Sequence, residues 1–168
     1  MDLRKWTNIC GVRSGIKMNN PLKVIVDADA IIAQVDPNDA HHETATRISA
    51  ALVNINAHVI YPVTAIAESN AYMQRVLNST ASAYGTAVIF TDPNVQVAEV
   101  NQQTIKNALH YFSPKTSKKN TLFDCIVAAV AQENNADAIF SFDGFYKIPL
   151  IPFQMQLYFI DFFSPGHF

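Results

Sequence analysis

The sequence predicts an α/β fold: a mainly parallel central sheet of about five strands, flanked by helices in three layers. Short Val- and Ile-rich runs alternate with longer segments whose apolar residues recur at helical spacing. The short runs are apolar on both faces, as strands covered on both sides are. Finally, 168 residues at 49% hydrophobic content can bury a substantial core in one domain. Strands separated by helices then join through right-handed crossovers into a parallel sheet.

Residues 1–22 lack periodicity, and Met18 stands just before the first strand. They form an N-terminal extension to a single domain at 23–168. The residues leave open whether it is disordered, foreign to the native chain, or the product of an upstream start. Lys23 to Asp27 (KVIVD) is the first buried strand, and Asp29 is expected to cap a short helix through Val35. The turn-rich VDPNDAHH leads into a helix over 42–56, with Ala45, Ile48, Ala51, Leu52 and Ile55 as its stripe. His58 to Tyr61 forms the second strand, ended by Pro62, and a helix carrying Glu68 spans about 64–77. A short helix at 79–84 stops at Gly85, and Ala87 to Thr91 (AVIFT) reads as the third strand. A longer helix is expected over 95–112, followed by the polar, basic loop SPKTSKKN at 113–120. The stretch TLFDCIVAAVAQENNADAIFSFDGFYK (121–147) reads as an apolar helix, a short connection and a buried strand over 138–142. A last strand is expected at about 157–162.

Composition narrows the function classes. No apolar run reaches about 18 residues, so no membrane span is expected. Arg4, Lys5, Arg13 and Lys17 precede no continuous apolar segment, so the N-terminus is not a secretory signal. Cys10 and Cys125 are too few and too far apart for a disulfide framework or a zinc site. A reducing, cytoplasmic location fits. The net charge of −2 says little about a polyanionic partner, because acids that bind cations would not repel one.

Four carboxylates stand out. Asp27 and Asp143 each fall at the carboxyl end of a strand, where open α/β sheets bind ligands. Glu68 lies in the first turns of one helix and Asp124 in the first turn of another. Among apolar neighbours such groups are costly unless paired or bound to a cation. Four in one cleft cannot all stay ionised uncompensated. All-oxygen ligands favour Mg²⁺ or Mn²⁺, and such ions suit phosphodiester hydrolysis. Each acid also has an ordinary reading. Thr121 to Asp124 matches a capping box, Asp143-Gly144 is a common turn pair, Asp27 and Asp29 both suit a strand-to-helix turn, and Glu68 suits a solvated helix face. As a set at one sheet edge they are harder to dismiss.

The pieces KVIVDADAII, TAIAES and TLFDCIVAAVAQENNADAIFSFDGFYK resemble, in order and context, the PIN-domain nucleases, and most closely the VapC (virulence-associated toxin C) ribonuclease toxins. The resemblance covers roughly residues 23 to 163, and the last piece is its most specific part. It implies a PIN-like fold and metal-dependent endoribonuclease activity. By motif match, Asp27, Glu68, Asp124 and Asp143 would hold Mg²⁺ or Mn²⁺ and direct a water at an RNA phosphate, with Ser141 as the family's small hydroxyl. It also implies a small antitoxin partner and a homodimer. A surplus of apolar residues in and near the helices at 42–56 and 64–77 fits the dimer. One position departs from the pattern: where the family carries Ser, Thr or Asn, this chain has Asp29. Capping is its expected role, and a further carboxylate for the site is the alternative.

Other polar residues divide less sharply. Lys115, Lys118 and Lys119 suit either a contact to the RNA backbone or a solvated charge run. His41 and His42 are expected at the surface, Cys125 in the core, and Phe145 and Tyr146 packed on the sheet rather than stacked on bases. Two further functions compete with the nuclease. Asp27-Ala28-Asp29 after an apolar strand imitates the nucleophile motif of haloacid-dehalogenase-type phosphatases, although their later lysine and acidic pair have no good match here. An inactive binding module on the same fold is the other.

Overall fold

The computed structural model describes residues 21–147. Strand β1 (Lys23–Val26) is followed by helices α1 (Ala28–Val35) and α2 (His42–Asn54), and then by β2 (His58–Pro62). Helices α3 (Val63–Arg75) and α4 (Thr80–Ile89) lead to the short strand β3 (Gln96–Ala98). Helices α5 (Gln102–Ala108) and α6 (Leu122–Glu133) precede β4 (Ala138–Phe140), and a 3₁₀ turn at Gly144–Lys147 ends the described chain. The four strands lie in the order β3-β2-β1-β4, and every pairing is parallel. The chain moves outward from β1 through β2 to β3, then crosses back to set β4 on the other side of β1. The boundary between β1 and β4 is therefore the topological switch point, where this class of sheet binds ligands.

Sequence chemistry explains how the helices hand over to the strands. Helices α2 and α6 both end in an asparagine in the left-handed region, Asn56 (φ 52°) and Asn135 (φ 49°), a conformation asparagine tolerates better than most residues. The following amides reach back, Ala57 N–H to Leu52 O at 2.9 Å and Ala136 N–H to Ala131 O at 2.9 Å. These bonds satisfy last-turn carbonyls and turn the chain sharply into β2 and β4. At the amino edge of the sheet, Lys23 N–H donates to the Asp137 carboxylate at 2.8 Å and Asp137 N–H donates to Lys23 O at 2.8 Å. The Lys23 ammonium caps the end of α6 at Asn134 O, 2.6 Å away. Together these contacts fix the β1–β4 register, Val26 opposite Phe140.

The core is centred on that register. Val24, Ile25 and Val26 are buried on both faces, as are Ala138, Ile139 and Phe140. Helix α6 packs against β1 and β4 and is buried continuously from Cys125 to Ala131, while α3 packs on β2. Small residues let helix and sheet approach closely, since Ala128, Ala129 and Ala131 take the place of larger side chains. Cys125 is fully buried, as the sequence suggests.

Three expected elements differ. The run AVIFT is not a strand: α4 continues through Gly85 to Ile89 and AVIFT supplies its end and the following turn. Val88 and Ile89 are 48% and 59% exposed, whereas Ala83 and Thr86 are buried, so the inward face repeats at helical spacing. A short apolar run lacks the length to declare its period. Gly85 lies inside that helix without interrupting it, and a Cβ there would meet nothing within 4 Å. The third strand instead lies at Gln96–Ala98, inside the expected long helix, and α5 starts later behind an Asn101 capping box closed by Thr104. The expected strand at 157–162 lies outside the described residues, so the described sheet has four strands.

Helix α2 offers a test of the core. Ile48 is fully buried and Val53 is 73% exposed on the same helix. In urea titrations, Ile48→Ala should cost about 2–5 kcal/mol, and Val53→Ala should stay within about 0.5 kcal/mol of the parent.

Candidate metal centre

Asp27 ends β1 and is the N-cap of α1, a position that needs an acceptor for the exposed amides of a first turn. Its Oδ1 accepts from Ala28 N–H at 2.7 Å. Its Oδ2 accepts from the Tyr146 hydroxyl at 2.8 Å and lies 3.2 Å from the Ser141 hydroxyl. Asp27 is only 4% exposed. Burial above all, followed by the neighbouring Asp29, pushes its carboxyl from the ordinary 3.8 up to about 8.

The capping role expected of Asp29 therefore belongs to Asp27. Asp29 lies in the first turn of α1 and reaches across the switch point to the end of β4. Its Oδ2 accepts from Phe142 N–H at 2.7 Å and from the Ser141 hydroxyl at 2.9 Å. Its Oδ1 is buried with no hydrogen-bond partner. Burial raises its pKa, opposed by the donors Phe142 and Ser141. Two donors from another strand outcompete a local cap already filled by the preceding carboxylate.

Ser141 links three acids. Its single hydroxyl proton faces both Asp29 and Asp27, and its oxygen accepts from Asp143 N–H at 3.0 Å. Asp143 in turn accepts from Phe145 N–H at 2.7 Å, the turn geometry expected of Asp143-Gly144. That turn starts the 3₁₀ segment that carries Tyr146 back under Asp27. Tyr146 is buried among apolar groups, as expected, yet its hydroxyl belongs to the site. The sequence offered no signal for that bond, because Tyr146 is 119 residues from Asp27. Burial and then the Asp27 charge hold its phenol well above 10, so it stays a donor.

The other two acids come from helices, Asp124 from the first turn of α6 and Glu68 from the second turn of α3. Asp124 closes the expected capping box, its Oδ2 accepting from Thr121 N–H at 2.5 Å and from the Thr121 hydroxyl at 2.9 Å. It nevertheless acts on the site, since its charge raises Asp27, Glu68 and the neighbouring Cys125 thiol. Glu68 is half-buried on α3, and burial, then Asp124, then Asp29 push it from 4.5 to about 7. Asp143 completes the network through its effect on Asp29. The five carboxylates thus share one electrostatic field at the carboxyl edge of the sheet.

Lys115, Lys118 and Lys119 are exposed on the 113–120 loop and are absent from the charges that shift Asp27, Asp29 or Glu68. That loop borders a groove lined by Leu109, Phe112, Lys118 and Leu122. His41 is exposed, whereas His42 is half-buried with Nδ1 2.7 Å from Ala33 O.

The donor set suits a hard divalent cation. It is all oxygen, the neighbouring acids raise the pKa of Asp27, Asp29 and Glu68, and one buried carboxylate oxygen lacks any partner. Among the described residues, no group of three or more His, Cys, Asp or Glu side chains is drawn together tightly enough to grip an ion as it stands.

The model of the PIN domain family matches residues 24–148, most of the sequence. This chain is a PIN-domain protein. The matched span contains all five carboxylates, Ser141 and Tyr146. Among solved structures, the PIN-domain chain is similar to the VapC20 toxin of Mycobacterium tuberculosis, described as cleaving the sarcin-ricin loop. The TM-score is 0.65 at 20% sequence identity, covering 74% of this chain and 93% of that one, a likeness of fold. No curated protein matches the sequence.

The raised acids give the PIN domain a distinctive pH dependence without metal. Between the unfolded carboxyl value and the folded values of about 7 for Glu68 and about 8 for Asp27, the folded chain holds more protons than the unfolded one. Stability from these groups is therefore full in acid and lost as pH rises through those folded values. Urea titrations in EDTA from pH 5 to 9 should show this decline, and Asp27→Asn should flatten it. Tyr146→Phe removes a bond that lowers the Asp27 pKa, so its decline should extend to higher pH.

Proposed function

We propose that this PIN-domain chain is a divalent-metal-dependent endoribonuclease that hydrolyses RNA phosphodiester bonds, acting as the toxin of a toxin–antitoxin pair. The observation that carries the reading is the gathering of Asp27, Asp29, Glu68, Asp124 and Asp143 in one field, with a buried Asp29 oxygen left without a donor. Asp27, Glu68, Asp124 and Asp143 would hold Mg²⁺ or Mn²⁺, and Asp29 is placed to add its free oxygen. The ion, when bound, polarises a phosphoryl oxygen and makes a bound water nucleophilic. The chain's own groups orient this apparatus. Tyr146 and Ala28 fix the plane of the Asp27 carboxylate, Ser141 couples Asp27 to Asp29, and the capping box holds Asp124 at the helix start.

The phosphatase alternative loses its footing. The family match over residues 24–148 favours the nuclease, and the later lysine and acidic pair of those phosphatases have no good match here. An inactive binding module would have no need to retain five mutually repelling acids at one edge.

Exposed Tyr72 and Val76 at the end of α3 and Tyr84, Val88 and Ile89 on α4 support a homodimer, because these helices pack together and present apolar side chains outward. A basic side chain of an antitoxin would pair with the acidic cleft and compete with the ion. Among the described residues no helix is long and apolar enough to cross a membrane, and we place the protein in the cytoplasm.

Three measurements bear on this reading. RNA cleavage should stop in EDTA and return with Mg²⁺ or Mn²⁺; cleavage indifferent to EDTA would rule out the metal mechanism. Asp27→Asn and Asp124→Asn should each abolish cleavage and reduce the Mg²⁺-induced rise in melting temperature, since only the folded state binds the ion. Equal rises in all three proteins would show that these aspartates do not hold it. Replacing Lys115, Lys118 and Lys119 with Ala should lower the salt slope of single-stranded RNA binding by roughly 2, at about 0.7 per lost phosphate contact.

A further inference from the structure

The rim of the acidic cleft carries an aromatic pair whose exposed member, His41, takes no part in the core or the carboxylate network. His41 sits at the N-cap position of α2 but makes no capping bond with its side chain. Its backbone is pinned, with N–H donating to Asp39 Oδ1 at 2.7 Å and the carbonyl accepting from Ala45 N–H at 2.8 Å. The imidazole lies flat on the Phe142 ring, with centroids 4.3 Å apart and planes 7° apart. Phe142 is held from behind by an edge contact to the buried Phe140 at 5.8 Å. Its own amide donates to Asp29, and it stands between Ser141 and Asp143 in the chain. The stack is therefore built onto the same backbone that shapes the cleft, and its outer member, His41, is exposed.

From this arrangement we infer that the His41–Phe142 stack is a platform for one unpaired nucleobase of the RNA flanking the scissile phosphate. The inference rests on the ribonuclease reading and adds a binding subsite to it. The cleft repels a phosphate backbone until a cation is bound, so an uncharged attraction at its rim acts without opposition from the acids. A lysine there would pair with the acids and compete with the ion, whereas a flat ring attracts any base through its face and leaves the carboxylates free. Pinning the ring in advance reduces the ordering lost when the base arrives.

The experiment compares the full chain with His41→Ala and His41→Phe. The probe is a single-stranded RNA that the protein cleaves, in versions with a 2-aminopurine or an abasic nucleotide at successive positions around the cut. His41→Ala should raise KM by about 5- to 150-fold, the range for losing one stacked base, with kcat nearly unchanged. His41→Phe should recover most of that loss. At one position the 2-aminopurine fluorescence should be quenched by the parent and the Phe variant but not by the Ala variant. An abasic nucleotide there should weaken the parent and leave the Ala variant indifferent. The Mg²⁺-induced rise in melting temperature should be equal in all three, which separates base binding from damage to the metal centre. Unchanged KM in His41→Ala, or a Phe variant as weak as the Ala variant, overturns the platform and leaves the ribonuclease reading standing. A parent that neither binds nor cleaves RNA overturns both.

Discussion

The pairing of β1 with β4 is the contact on which the rest of the structure depends. It joins residues more than a hundred positions apart, and Asp27 N–H donating to Phe140 O at 3.0 Å closes it at the carboxyl edge. Below that point the two strands are apolar on both faces and fully covered. Beyond it come the acids, Asp27 and Asp29 on one side and Asp143 with Ser141 on the other, set among the buried Ala28, Phe145 and Tyr146. Because both strands are apolar on both faces, their pattern alone does not fix the register, yet a shift of either strand by one residue would separate Ser141 from both aspartates. The register is held at the opposite edge by Lys23 N–H donating to the Asp137 carboxylate, by Asp137 N–H donating to Lys23 O, and by the Lys23 ammonium on the end of α6. A surface-looking lysine far from the cleft thus helps set its geometry.

The cleft in turn works against the fold that builds it. Burial and like charge raise Asp27, Asp29 and Glu68, so each ionisation in the folded state is unfavourable without a cation. The surrounding hydrogen bonds offset only part of this, and the partnerless Asp29 oxygen is left out entirely. The continuous apolar face of α6 and the close helix–sheet packing on β1 supply the stability that tolerates such a site. Charge repulsion and core packing therefore meet in the same few residues, from Phe140 to Tyr146 and from Val26 to Ala30.

Much of this was legible in the sequence, for reasons that differ by element. KVIVD and ADAIF could be recognised because strands buried on both faces need unbroken apolar runs. The capping box at Thr121–Asp124 and the turn at Asp143-Gly144 could be recognised because their chemistry is local. What the sequence hid was non-local or weakly patterned. AVIFT carries strand-forming residues, but its inward positions follow Ala83 and Thr86 around a helix. The true third strand, Gln96–Ala98, is short and exposed at its first two residues, so it has no apolar signature. Asp29 looked like a cap because its partners, Phe142 and Ser141, arrive from another strand. Tyr146 looked like packing because nothing near it in sequence hints at Asp27. Family resemblance singled out four of the acids; the fold shows which donors hold Asp27, Asp124 and Asp143.

The order in which the chain is made has a bearing on when such a site can exist. Asp27 leaves the ribosome early, whereas Ser141 and Tyr146, its partners, follow more than a hundred residues later. The pairing that unites them is the longest-range one in the sheet and cannot form until β4 has been synthesised. A nascent or prematurely ended chain would hold Asp27, Glu68 and even Asp124 without the strand that aligns them. For the proposed ribonuclease, this topology delays competence until translation has passed residue 146, sparing the message and the machinery still producing it.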